Sequence, residues 1–275
     1  MDKPRTFYTD ANREAWNEAA PLHARHNQAK LLKAFAEPGH VRLDDHVQRA
    51  LAVAGVEGRS VVQLCCNNGQ DLLSVKNLGA GDCLGVDAAE AFLEQARELA
   101  SVAGHADGVR FLASDIYALP DDLAESFDIA LITIGVIGWM PDLAGFFAQA
   151  ARVIKPGGHL VIEDMHPVLF MYEEGEDGTP PYLAYSYFRT EPFEETSGLD
   201  YYGGERYEAK PNYSFWHRLD SIVMAGIGNG LELRHFEELP HDISFFCAEL
   251  ENAEANPPLG FTMVWRKAHP AGGDT

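Results

Sequence analysis

The sequence predicts an α/β protein with a Rossmann-like, doubly wound, seven-stranded sheet, mostly parallel with an antiparallel edge strand. Three observations lead there. Short apolar runs alternate with amphipathic stretches between residues 60 and 162. The first run, residues 61–64, enters the turn Cys65-Cys66-Asn67-Asn68-Gly69, and the second ends on Asp87. That strand-turn-helix-strand-acid order is how a doubly wound sheet grips the ribose of a nucleotide-like cofactor. Finally, two β-rich runs, 231–239 and 260–267, close the pattern as an antiparallel pair.

Taken in order, residues 1–45 form a helical cover outside the sheet. The spacing predicts a helix over 12–28, capped by Asp10, with Trp16, Ala20 and His23 or Ala24 near one face. Pro38-Gly39 breaks the next helix, and another spans 44–54. Strands follow at 61–64, 84–86, 109–112, 127–134 and 159–162. Helices lie between them at 70–78, 89–102 and 143–154, the last stopped by Pro156-Gly157-Gly158. Strands that are apolar throughout imply a parallel sheet covered on both faces.

Residues 165–216 have no clear period, yet they hold eight of the ten tyrosines. So aromatic a stretch is an ordered insertion, placed like a lid, rather than a disordered linker. A helix over 218–226 precedes the closing strands, and the tail 268–275 is expected to fray. The whole of 1–275 reads as one domain.

Composition narrows the partners. The net charge is −21, from 42 acidic and 21 basic residues, with no basic cluster. Such a surface repels phosphate backbones and anionic lipid, so a small molecule is the expected partner, not nucleic acid or membrane. No apolar run approaches the ~20 residues that span a bilayer, and Met1 to Asp10 lacks the apolar core of a signal peptide. A cytoplasmic location is expected, with room for a homodimer. The four cysteines have no metal-binding spacing and read as buried free thiols, Cys83 and Cys247 on strands.

The strand ends carry the candidate chemistry. Gly69 allows close backbone approach, and Asn67 and Asn68 tolerate left-handed backbone. Asp87 can accept from two ribose hydroxyls. Asp115 can accept from an exocyclic adenine amine, with the Ile116 amide facing a ring nitrogen. Each acid can also serve simply as a helix N-cap.

On these residues the chain resembles the class I S-adenosylmethionine-dependent methyltransferases. The segment Gln63-Leu64-Cys65-Cys66-Asn67-Asn68-Gly69 lies where that family has an acid followed by spaced glycines. Gly85-Val86-Asp87 resembles its ribose-binding acid, Ser114-Asp115-Ile116 its adenine side, and Arg152 to Gly158 its turn into strand five. The resemblance implies S-adenosyl-L-methionine as cofactor, held by Gln63, Cys65, Asn67, Gly69, Asp71, Asp87, Asp115, Ile116 and Thr133. It implies methyl transfer to a small-molecule acceptor by direct displacement at an already activated sulfonium, with no metal required. Two alternatives stand beside it: another reaction of the same cofactor, or a non-catalytic binding or regulatory protein of this fold. The departures are Gln63 for the acid, and Cys65 and Asn67 for glycines. They disfavour a dinucleotide, whose pyrophosphate needs G-x-G-x-x-G.

The acceptor is expected beyond the carboxyl ends of the strands. His166 is the first candidate for a base and His217 the second, each with a capping role as the plain alternative. Glu163 and Asp164 either orient His166 or end the strand. Trp16, Trp139, Tyr172, Tyr187 and Tyr202 are the candidate acceptor-binding aromatics. Tyr8, Trp16, His23 and His26 either cover the methionine end or serve as core or dimer contacts. Glu173, Glu174, Glu176, Glu191, Glu194, Glu195 and Glu205 share the tyrosine-rich stretch. They suggest either a cationic acceptor held against aromatic faces or a solvated acidic flap.

Overall fold

A computed structural model describes residues 3–269 except 174, 176–178, 205 and 245. Glu174, Glu176, Glu205 and the end of the tail therefore lie outside the described residues. The sheet has seven strands: β1 (Val61–Leu64), β2 (Cys83–Asp87), β3 (Val109–Ala113), β4 (Phe127–Ile132), β5 (Ile154–Met165), β6 (Leu231–Leu239) and β7 (Gly260–Lys267). Their order is β6-β7-β5-β4-β1-β2-β3. Strands β1 to β5 pair in parallel, and β7 runs antiparallel to both β5 and the edge strand β6. The chain winds outward from β1 to β3, then returns to place β4 on the other side of β1. The strand order therefore reverses between β1 and β4, where open α/β sheets bind ligands.

Side-chain alternation divides the core in two. Val62, Leu64, Ala130, Ile132, Leu160, Ile162, Met263 and Trp265 face α6 (Leu143–Val153) and α7 (Leu219–Gly228). Val61, Ile129, Leu131, Val161 and Val264 face α3 (Asp45–Ala54), α4 (Gln70–Asn77) and α5 (Glu90–Val102). Burying each such side chain contributes roughly 1.5–3 kcal/mol, so neither face of a central strand tolerates a polar residue cheaply. Helix α7 sits so close that a Cβ on Gly226 would come within 2.8 Å of the Trp265 ring.

Several sequence expectations shift. The first helix, α1, spans Arg5–His23 with Pro4 before it, so Asp10 lies inside the helix and is not its cap. Pro21, which has no N–H to donate, precedes a π-helical turn over Ala24–Gln28, and α2 (Ala29–Phe35) follows. Strand β5 begins at Ile154, directly after α6, and runs through Pro156-Gly157-Gly158, because Ile154 already pairs with Phe127. Cys83 is on β2, but Cys247 precedes a 3-10 turn over Ala248–Asn252 and is on no strand. The aperiodic stretch contains two small antiparallel pairs, 172–173 with 182–183 and 193–195 with 212–214.

Helix α1 lies over the sheet's binding edge and ties that stretch to α5. Asn12 is buried, and its carboxamide mimics a peptide group. It donates to the Tyr213 carbonyl at 2.8 Å and accepts from the Tyr213 amide at 2.7 Å. Tyr8, Tyr213 and Phe215 pack beside it. Asn17 accepts from the Ala91 amide in the first turn of α5, and Gln95 of α5 donates to the Ala20 carbonyl.

Replacing Asn12 by Ala removes two buried hydrogen bonds and leaves the Tyr213 groups unpaired. The expected cost is about 1–3 kcal/mol, read as a lower denaturation midpoint and faster hydrogen exchange at the Tyr213 amide. Unchanged exchange there would mean that Asn12 does not anchor the segment.

Candidate active site

The turn after β1 has an unusual backbone. Cys65, Asn67 and Gly69 have φ values of 59°, 50° and 74°. Every second residue is thus left-handed, and only one of the three is glycine. For an L-residue this region costs about 1–2 kcal/mol, and Asn67 is the better suited of the two non-glycines. The reward is a run of backbone that curls over the end of β2. There the Asp87 carboxylate accepts from the Asn67 amide at 2.8 Å and from the Ala89 amide at 2.9 Å. Burial pushes the Asp87 carboxyl above its ordinary range, with those amides pulling it back. Each carboxylate oxygen still has acceptor capacity for ribose hydroxyls.

Packing fixes the turn from below. A Cβ on Gly69 would meet Phe111 at 2.9 Å, and one on Gly85 would meet Cys66 Sγ at 2.7 Å. The Cys65 thiol feels the charges of both Asp87 and Asp115. Burial, then these two acids, push it well up, so it stays a neutral thiol and not a nucleophile. Asp115 caps the 3-10 turn Ile116–Ala118 by accepting from the Tyr117 amide at 2.9 Å. Its other oxygen accepts from the Thr9 hydroxyl of α1 at 3.3 Å. Ile116 is buried beneath.

Gln63, Thr133 and Asp71 meet at the other end of the turn. The Gln63 carboxamide donates to Thr133 Oγ1 at 2.9 Å. Burial pushes the half-buried Asp71 carboxyl up, opposed by hydrogen bonds from Thr133 and Gln63. The carbonyl oxygen of Gln63 is buried without a partner. An orphan acceptor beside a half-exposed carboxylate suits a ligand ammonium. The residues present therefore fit a cofactor with a ribose at Asp87 and an amino acid end at Gln63.

Among the aromatic candidates, the structure brings Trp16, Trp139 and Tyr202 into one neighbourhood. Trp16 meets Trp139 edge-on at 5.3 Å and His23 at 6.0 Å, and His23 meets Tyr202 at 5.2 Å. Tyr172 packs elsewhere, against Leu169, Cys247, Leu250 and Leu259. The Tyr187 hydroxyl accepts from the Leu219 amide at the start of α7. His23 is buried, its Nε2 donating to the Leu199 carbonyl at 2.6 Å and its Nδ1 unpartnered. Beside it, His26 faces the buried carboxylate of Asp200 at 3.5 Å.

The two candidate bases differ. His166 caps the turn Pro167–Met171: Nδ1 accepts from the Val168 amide at 3.2 Å, and Nε2 faces Glu238 at 3.3 Å. Nδ1 is committed to the cap, while Nε2 has Glu238 as a charged neighbour but makes no hydrogen bond, so the capping role is what the geometry provides. His217 donates from Nε2 to the Met140 carbonyl at 2.7 Å, which leaves the lone pair on Nδ1. Burial lowers its pKa and keeps it neutral. It lines a small pocket with Gly138, Asp164, Phe170 and Phe261.

Two residues at the end of β5 have roles that sequence did not reveal. Asp164 accepts from the amides of Gly135, Ile137 and Met165 at 2.8–2.9 Å, so it shapes the loop after β4 and does not orient His166. Burial pushes its carboxyl up to about 6. Glu163 points to the opposite face and bonds His46 of α3. An acid pair leaving a strand is a visible signal; a partner 117 residues away is not.

Comparison with known proteins agrees with this geometry. Residues 61–158 match the model of a methyltransferase domain. A 2-phytyl-1,4-naphtoquinone methyltransferase of Synechococcus elongatus is 35% identical over 131 residues, 44% of this chain and 54% of that protein. A tRNA U34 carboxymethyltransferase of Pseudoalteromonas translucida is 28% identical over 110 residues, 40% of this chain and 33% of that protein. The chain thus spans about half or less of the length of these relatives. An S-adenosylmethionine-dependent methyltransferase from Mesorhizobium loti shares the fold, with a TM-score of 0.60 and 22% identity over 80% of this chain and 95% of that one. Residues 61–158 thus resemble a methyltransferase domain, and the chain shares the fold of S-adenosylmethionine-dependent methyltransferases.

The left-handed turn sets an expectation for stability. Gly69→Ala adds backbone strain and a clash, and should cost about 1–3 kcal/mol. Cys65→Gly relieves strain but frees the unfolded chain and empties packing space, so it should stay within about 1 kcal/mol of wild type. Urea midpoints of the two variants check both.

A second expectation concerns pH. Burial lowers the pKa of His23, His166 and His217 in the fold, so their neutral forms are favoured. The unfolded chain takes up these protons near pH 6.5. Stability should therefore be full above that value and fall as pH drops through it towards the lowered native values. His23→Gln should reduce that slope by up to one proton, about 1.4 kcal/mol per pH unit. An unchanged slope in urea titrations would count against a buried neutral His23.

Proposed function

We propose that the protein transfers the methyl group of S-adenosylmethionine to a small-molecule acceptor by direct displacement. The observation that carries this reading is the left-handed alternation at Cys65, Asn67 and Gly69, tied to Asp87. That backbone is what a glycine-rich turn would adopt, retained with two of its glycines replaced. When bound, the cofactor supplies a sulfonium-activated methyl group.

This chain's own residues do the rest. Asp87 accepts from the ribose hydroxyls, and Asp115 with Ile116 holds the adenine side. Gln63, with Thr133 and Asp71 behind it, receives the amino end. Residues 165–216 and α1 form the lid, and Trp16, Trp139 and Tyr202 supply acceptor-facing aromatic surface that excludes water. His217, neutral and held by Met140, is placed to take a proton from a hydroxyl acceptor through Nδ1. His166 positions the start of the lid.

The naphthoquinone methyltransferase supports a small-molecule acceptor, and the charge of −21 opposes a polyanionic one. The tRNA-modifying relative supports a second reading, an RNA acceptor. Free cysteines in the structure support a cytoplasmic place of work. Among the described residues no helix is long and apolar enough to cross a membrane.

Calorimetry with S-adenosylmethionine and S-adenosylhomocysteine should give micromolar binding, weakened at least tenfold by Asp87→Ala. No binding of either ligand would overturn the reading. Radiolabelled methyl transfer to a metabolite extract, with bulk tRNA as the parallel substrate, then decides between the acceptors.

A further inference from the structure

We propose that Asp44, His46 and Glu163 form a binding site for a first-row divalent cation of the zinc or manganese type. One ligand atom from each residue lies within 4.8 Å of the other two. His46 and Glu163 are buried, and Asp44 is exposed, so the trio opens to solvent on one side. One imidazole nitrogen and two carboxylate oxygens suit a borderline divalent ion better than calcium or magnesium, which prefer oxygen alone. The open side leaves positions for water or for an oxygen of a ligand.

The fold assembles the trio from two places. Asp44 stands at the N-cap of α3, and His46 follows two residues later; β5 supplies Glu163. An Asp at this position ordinarily bonds the helix's own amides, yet the Asp44 side chain makes no capping bond. Its carboxylate turns instead towards His46 and Glu163.

A second observation points to a ligand at the same place. Thr262 of β7 lies directly opposite Glu163 in the sheet register, and residues so paired share a face. Thr262 is fully buried and its hydroxyl has no partner. A water held by the cation would satisfy it. The His241 ring lies 5.3 Å from that of His46 and is a further donor at the rim. Arg49, on the next turn of α3, pairs with Glu237.

Binding needs the Nε2 lone pair of His46. The hydrogen bond from Nε2 to Glu163 therefore gives way, and the neutral imidazole carries its hydrogen on Nδ1. No redox change or other reactant is involved.

The test uses the full chain after treatment with a chelator. Titration with Zn2+, Mn2+ and Co2+ should show one equivalent bound with micromolar or tighter affinity. Bound Co2+ should give a visible absorption band, and the melting temperature should rise with metal. Asp44→Asn and His46→Gln should each weaken binding at least tenfold. Asp44 is exposed, so its variant should fold as wild type does and keeps the test valid if His46→Gln unfolds. Absence of stoichiometric binding, or equal affinity in Asp44→Asn, would overturn the site and leave only a buried His–Glu pair. None of these readouts depends on methyl transfer or on S-adenosylmethionine.

Discussion

The bond between the Asp87 carboxylate and the Asn67 amide is the constraint on which the binding edge depends. It joins the end of β2 to the turn after β1, and so fixes the direction in which the left-handed residues present their amides. Without it, Cys65 and Asn67 lose one of the two holds on a backbone that costs about 1–2 kcal/mol each. The clash distances around Gly69 and Gly85 show the same turn gripped from beneath by Phe111, Ala96 and Cys66. Strain of this kind persists only where the surroundings over-determine it. Here a carboxylate above and a packed ring below do so together.

The cover is built on a different principle. The short strand pairs 172–173 with 182–183 and 193–195 with 212–214 would not be stable alone. They are ordered by borrowed contacts, in which Asn12 completes a peptide-like pair with Tyr213 and His23 bonds Leu199. The π turn at Ala24–Gln28 changes the residue count per turn just where His23 and His26 both address residues 199 and 200. Apolar contacts add to these bonds, since Leu169 and Tyr172 pack with Cys247, and Tyr213 and Phe215 pack with Tyr8.

The sheet was legible in the sequence because burial on both faces leaves short apolar runs, too short for helices and separated by amphipathic stretches. β6 and β7 fall where alternation and β-rich composition placed them. Of the candidate site, the two acids were legible in position, since Asp87 ends β2 and Asp115 lies just beyond β3. Asp115 caps the 3-10 turn with one oxygen and bonds Thr9 with the other. What could not be read were partners far apart in sequence. Nothing around Asp164 announces that it will hold Gly135 and Ile137, and nothing around His46 announces Glu163. Asp10 misled for a local reason. Pro4, with its φ of −65°, starts the helix earlier and leaves Asp10 inside it.

Charge explains the least expected substitution. A Glu at position 63 would place a second carboxylate against Asp71, which already resists ionisation through burial and feels Asp44 as a like charge. Two carboxylates sharing one site cannot both ionise without raising one pKa strongly. Gln63 avoids this. Its N–H groups serve Thr133 and the Asp71 carboxylate, and its oxygen remains a buried, uncharged acceptor without a partner. The negative charge of the position has in effect moved eight residues along the chain, from residue 63 on β1 to Asp71 on α4. A neutral Gln63 beside Asp71 thus leaves this place with one carboxylate to bury rather than two.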